Sequence, residues 1–179
     1  MERRRIGHPF AFVNARVGVI AALLFMFAPV TQAWKPKSRG VESGLEPMVL
    51  DNNALTESSG LAFSNVDSNC IWTHNDSGGK ARLFAFNQNG KYCGRVDLKG
   101  VKADDWEDVA SYDDDGARLL VADVGDNSAN RKSVSLYIFD EPDPRKKSDV
   151  RSFQHLVVRY RAGAQNCEAV AVDVKNRRS

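Results

Sequence analysis

A four-strand pattern that repeats along the chain constrains this sequence more than any other feature. The stretches Gly60 to Phe63, Cys70 to His74, Arg82 to Phe86 and Lys91 to Leu98 are short and rich in β-branched or aromatic residues. They are separated by the turn-forming runs 65–69, 76–79 and 87–90, which is the punctuation of strands and hairpins. Asn89-Gly90 is a strong hairpin signal in its own right. The same order recurs in Glu107 to Tyr112, Arg118 to Asp123, Ser135 to Asp140 and Phe153 to Tyr160, with Asp113-Asp-Asp-Gly116 as the first turn of the second set.

A short motif marks the start of each set. Ser59-Gly60-Leu61-Ala62, Glu107-Asp108-Val109-Ala110 and Glu168-Ala169-Val170-Ala171 align as a small or acidic pair followed by Leu/Val-Ala, beginning 48 and 61 residues apart. A four-stranded unit recurring at about 40 to 50 residues is the signature of a β-propeller. The expected fold is therefore all-β: a partial, truncated propeller of two four-stranded blades plus the first strand of a third. A small two-sheet β-sandwich is the alternative.

Propeller rings typically close with about 4 to 8 blades, so the second blade would leave an apolar face in need of cover. Phe153, Leu156 and Val158 are the positions at stake, and the expected final strand, Cys167 to Val174, offers an edge with no following hairpin. An unpaired hydrophobic edge recruits another chain or aggregates. Self-association through such edges is the expected partnership, and a truncated, poorly soluble gene product is the other expectation.

The N-terminus carries a different signal. Arg3, Arg4, Arg5 and Arg16 precede the unbroken apolar run Val17 to Val30, which ends at Thr31-Gln32-Ala33. A basic region, an apolar region and a small residue at the cut describe a secretory signal peptide. The apolar run of 14 residues falls short of the ~20 that a bilayer core requires. Residues 1–33 are read as removed, 34–54 as an extended leader and 55–179 as the propeller domain, with a secreted or periplasmic location and no membrane span. Beyond residue 33 the chain holds 21 basic and 22 acidic residues, a net charge of −1, which argues against a general nucleic-acid binder.

Cys70, Cys93 and Cys167 then sit in an oxidising compartment, where at most one disulfide can form. A Cys70–Cys93 bridge and three unpaired thiols both remain open. No zinc pattern is present, because His8, His74 and His155 do not cluster with the cysteines.

Acidic residues concentrate between Asp104 and Asp126, where nine carboxylates face the single base Arg118, a net −8 in 23 residues. Charge of one sign at this density is costly unless solvated or neutralised by a cation. Asp113, Asp114 and Asp115 precede Gly116 in a hairpin turn and read as solvated. The remainder are placed by strand direction: antiparallel neighbours bring the start of one strand and the end of the next to the same edge. Asp76, Glu107, Asp108, Asp123, Asp126 and Glu168 are thus expected as oxygen ligands at one mouth of the channel, with Asn75, Asn127 and His74 orienting or supplementing them. Carboxylates with amide carbonyls suit Ca²⁺, or Mg²⁺, rather than zinc. The competing reading is that these residues cap strand ends and tight turns through local backbone N–H groups.

Taken in order, Leu55 to Ala62, Ile71-Trp-Thr-His-Asn-Asp-Ser-Gly78, Asp105-Trp-Glu-Asp-Val-Ala110, Asp123-Val-Gly-Asp-Asn127 with Arg131, Tyr137 to Pro142 and Asn166-Cys-Glu-Ala169 resemble the motifs of a family of secreted bacterial β-propeller proteins of largely uncharacterised function. The resemblance covers about Leu55 to Asp173 and implies the N-terminal half of such a propeller. A more distant likeness to the calcium-dependent gluconolactonase-like and phytase-like propellers is a fold-level analogy that licenses no substrate. No complete catalytic set is apparent in the sequence; an enzyme of this kind would be a metal-dependent hydrolase. The expected function is a secreted protein whose acidic mouth binds a divalent cation, with room for a small ligand. The alternative is a non-enzymatic module that binds protein or polysaccharide.

Overall fold

The computed structural model describes residues 47–175. The expected signal peptide, most of the leader and residues 176–179 lie outside the described residues. Nine strands follow in chain order: β1 Ser58–Phe63, β2 Cys70–Asn75, β3 Lys80–Asn87, β4 Tyr92–Lys102, β5 Trp106–Asp113, β6 Ala117–Asp123, β7 Val134–Asp140, β8 Lys147–Val150 and β9 Gln154–Val158. They form a five-stranded sheet, β1-β2-β3-β4-β8, and a four-stranded sheet, β5-β6-β7-β9. The protein is all-β, as expected, and all pairings are antiparallel except β4 with β8. No closed sheet occurs among the described residues, and no helix there is long and apolar enough to cross a membrane.

The turns form where the sequence places them. Gly90 adopts φ 75°, and Asp115 and Gly116 adopt φ 56° and 131°, the left-handed region that tight hairpins need and that Gly and Asp tolerate best. At Gly90 the absent Cβ also matters, because the carbonyl of Val49 occupies its position. The end of the expected leader therefore docks instead of running free: Asp51 N–H donates to the Gly90 carbonyl at 2.9 Å and bridges Lys91 in parallel.

Apolar faces bring the two sheets together. Trp72, Leu83 and Val96 of the first sheet meet Trp106, Val109, Leu119 and Val121 of the second. Truncating a large buried aromatic such as Trp72 or Trp106, each 0% exposed, costs about 3–5 kcal/mol. β6 is buried on both sides, so Leu119 and Val121 face the first sheet while Leu120 and Ala122 join Leu136 and Ile138 on the other. At the seam β1 lies against β5: a side chain at Gly60 would overlap the backbone of Asp108 and Val109, and the Ser59 hydroxyl donates to the Glu107 carbonyl at 2.7 Å. At the far end of the seam, buried Glu141 accepts from the Ser64 hydroxyl, the Asn65 N–H at 3.0 Å and Trp72 Nε1–H at 2.9 Å.

One expectation needs correction. Cys167 to Val174 forms no strand; it runs beside the second sheet without a ladder, and Cys167, Val170, Val172 and Val174 cover that sheet's outer apolar cluster. Its recorded backbone tie to β5 goes through a side chain, Val170 N–H to Asp108 Oδ2 at 2.9 Å. Lys147 opens β8, which adds to β4 in parallel. Gly94 admits it, since a Cβ there would overlap the carbonyls of Pro144 and Lys146. Of the two cysteine readings left open, the structure has three free thiols, and burial, reinforced by neighbouring Cys93, pushes the Cys70 thiol up to about 12.

Candidate metal centre

Strand direction assembles the site as the sequence suggested. Trp106 at the start of β5 pairs with Asp123 at the end of β6, and the end of β2 is stitched to the same rim. Trp106 N–H donates to the Asp76 carbonyl at 2.9 Å, and Gly125 N–H to the Asp105 carbonyl at 3.1 Å. Three loops from two sheets thus share one edge. Between Trp106↔Asp123 and Asp108↔Ala122 the ladder slips by one residue, leaving Glu107 as the extra residue of a β-bulge. Such a bulge re-aims a side chain that regular alternation would place elsewhere.

One ligand atom from each of Asp76, Asp105 and Glu107 lies within 4.8 Å of the others. Gly125 makes the convergence possible, because a Cβ there would overlap both Glu107 Oε1 and Asp105 Oδ2. Glu168 joins from the 161–175 segment. Burial first, then Glu168, Asp76 and Asp105, pushes Glu107 up to about 8, as expected for carboxylates crowded away from water. Asp105 is raised for the same reasons, burial first and Asp76 next, while Arg131 opposes the shift. Asp76 Oδ1 is buried and accepts no hydrogen bond.

The other expected ligands are brought to the same rim but are engaged elsewhere. Asp108 Oδ1 accepts from Val109 N–H at 2.8 Å, and its Oδ2 holds Val170 N–H. Asp123 pairs with Arg131 at 2.8 Å and accepts the N–H groups of Asp104 and Asp105, both at 3.2 Å. Asp126 closes its own loop, taking Asn130 N–H and Arg131 N–H at 2.9 Å each. These three carboxylates position the rim: Asp123 fixes the backbone that carries Asp105, and Asp126 orients Arg131.

The flanking residues follow suit. Asn75 secures the entry to β1, its Oδ1 accepting from Thr56 N–H at 2.9 Å and Glu57 N–H at 3.2 Å. Asn166 ties its segment to the rim, its Oδ1 accepting Asp126 N–H at 2.7 Å and its Nδ2 donating to Asn127 Oδ1 at 3.2 Å and to Glu168. Asn127, with Asp104, Asp105, Ser128 and Arg131, lines a shallow cleft of about 400 Å³ beside the carboxylates. His74 is wholly buried, with its ring edge-on to Trp106 at 5.6 Å. Burial pushes its pKa down, and its Nδ1 lies 3.0 Å from the Asn75 carbonyl. A carbonyl can only accept, so Nδ1 carries the hydrogen there, and Nε2 is buried.

Asp105 belongs to the carboxylate trio but was not among the ligands singled out from the sequence. Its signal was the acidic run itself: Asp105 stands at the entry to β5, two residues before Glu107.

No basic side chain neutralises the trio directly; the recorded ion pairs of the described residues include none to Asp76, Asp105 or Glu107. Chemically, the arrangement suits a hard cation. Oxygen ligands lie ~2.3–2.6 Å from Ca²⁺, so ligand atoms no more than 4.8 Å apart are close enough to share one ion. Comparison with protein-family models, with curated proteins and with solved structures finds no match to this chain.

Proposed function

We propose that this protein is a secreted, propeller-type module that binds Ca²⁺ through Asp76, Asp105 and Glu107, with Glu168 completing the ligand set from the 161–175 segment. The observation that carries the reading is the convergence of three carboxylates within 4.8 Å on a rim where Asp76 Oδ1 is buried and unpartnered. Crowding such groups is unfavourable, and a divalent cation among them adds an attraction to each carboxylate that outweighs their mutual repulsion. The propeller part of the reading is supported by the repeat. The first copy packs through Gly60 on the second, and the second reaches Val170 of the third through Asp108.

Calorimetric titration tests the site. Ca²⁺ should bind, and Asp105→Asn or Glu107→Gln should weaken it by about tenfold or more. An absence of binding at millimolar Ca²⁺ and Mg²⁺ would remove the proposal.

A second reading, a non-enzymatic interaction module, draws on a separate observation. Alternation along β1 turns Leu61 and Phe63 outward, 60% and 73% exposed, on the edge strand of the first sheet, the kind of surface that takes up a partner or a second copy. Sedimentation with and without Phe63→Ser distinguishes it: association that survives the substitution argues against that face.

A further inference from the structure

Beside the acidic rim lies a cleft of opposite character. It has a volume of about 390 Å³ and runs between the 129–132 loop and the 159–164 turn, with Arg131, Lys132, Arg159 and Tyr160 in its wall and no Asp or Glu. Two left-handed residues shape its lips, Ala129 at φ 48° and Gly163 at φ 94°. The last pair of the β7–β9 ladder is Val134↔Val158, so the two strands leave it side by side and bring Lys132 and Arg159 to the same end of the ribbon. Both cations line the cleft, where an anion between them would offset their mutual repulsion. Arg131 is already balanced, by Asp123 at 2.8 Å and by the Gly125 carbonyl at 2.7 Å. Among the described residues, the recorded ion pairs include no carboxylate partner for Lys132 or Arg159.

We infer that this cleft binds a phosphate group, with Lys132 and Arg159 as the charge-bearing contacts and the half-buried Tyr160 ring as its floor. Two free cations match a dianion better than a single carboxylate, and the guanidinium fork of Arg159 presents paired N–H donors to phosphate oxygens. The inference does not depend on the cation site, since none of its charge-bearing residues belongs to the Asp76, Asp105 and Glu107 trio. The phosphate could be the free ion or the head of a phosphomonoester, and the two share the recognition chemistry.

The test is calorimetric titration of the protein in EDTA at constant ionic strength, which takes the carboxylate site out of play. Inorganic phosphate should saturate the cleft, and acetate should bind at least about tenfold more weakly. Lys132→Gln combined with Arg159→Gln should abolish saturation, whereas Lys91→Gln, on a distant turn, should leave it intact. Should the double variant fail to fold, the single substitutions at these exposed positions carry the same test. A parallel titration with a phosphomonoester identifies the source: tighter binding than inorganic phosphate assigns the ester, and equal or weaker binding the free ion. Absence of saturation, equal binding of acetate, or binding unaffected by either substitution overturns the inference.

Discussion

Asp123 and Arg131 form an ion pair at 2.8 Å in which the Asp123 side chain is 2% exposed and the Arg131 side chain 20%. The aspartate gains further support from two backbone N–H groups, while the guanidinium also reaches the Gly125 carbonyl. Removing one member of a buried pair leaves the other desolvated and uncompensated, at a cost of about 3–5 kcal/mol. Arg131→Gln is therefore expected to lower unfolding free energy in urea by about 3 kcal/mol. It should also weaken cation binding, because the backbone that Asp123 holds carries Asp105.

Glu107→Gln should act in the opposite direction on the cation-free protein. Burial and three neighbouring carboxylates push Glu107 up to about 8, so the comparison is made at about pH 9, where the carboxyl is ionised and the substitution removes one charge from the crowded group. Thermal unfolding in EDTA is expected to shift upward by a few degrees, corresponding to ~1 kcal/mol. Added Ca²⁺ should then stabilise the native protein and leave the variant nearly unchanged.

Acid sensitivity should centre on Asp97. Its hydrogen bond from Arg82, the largest cause, and the charges of Arg82, Arg95 and Lys99 hold its carboxyl below the usual value. A carboxylate whose folded pKa is lowered contributes stability above its unfolded pKa, near 4, and loses that contribution as pH falls through the folded value. Urea midpoints measured from pH 6 downward should fall in the native protein once pH drops below about 4. Arg82→Met should flatten that part of the profile. An unchanged slope would mean that other carboxylates carry the acid transition.

Glu141 offers a test of the seam. It accepts hydrogen bonds from Ser64, Asn65 and Trp72, and Ser111 Oγ lies 3.3 Å away. Glu141→Leu orphans several donors at once, and each buried orphan costs about 1–3 kcal/mol. The expected loss is at least ~2 kcal/mol, with a change in tryptophan emission as Trp72 loses its partner. Glu141→Gln, which keeps an acceptor, should lose less.

The hairpins were legible because alternation and turn chemistry are local: Asn89-Gly90 and Asp113 to Gly116 declare their turns within a few residues. β8 was not, since Lys147-Ser-Asp-Val150 has no apolar alternation and pairs with β4 only through the room left at Gly94. Cys167 to Val174 has strand-like composition yet no ladder, because a strand requires a partner that composition does not name. At the site, Asp76 and Glu107 could be placed from strand direction alone, whereas Glu168 arrives on a segment that forms no strand. Asp108, Asp123 and Asp126 have the same chemistry in sequence, and their engagement depends on N–H groups as distant as Val170. The bulge at Glu107 lies between those limits. The repeat aligns Ser59-Gly60 with Glu107-Asp108, and both ladders slip there.

Gly125 carries a consequence for how such a site can be lost. It bears no charge and donates no ligand, yet two carboxylates approach each other across the space its side chain would fill. One methyl group there would leave the electrical inventory of the protein untouched while disassembling its acidic trio. A census of acidic residues in any variant of this chain would report the site intact when it was not. Inheritance of the site runs through a residue whose contribution is room.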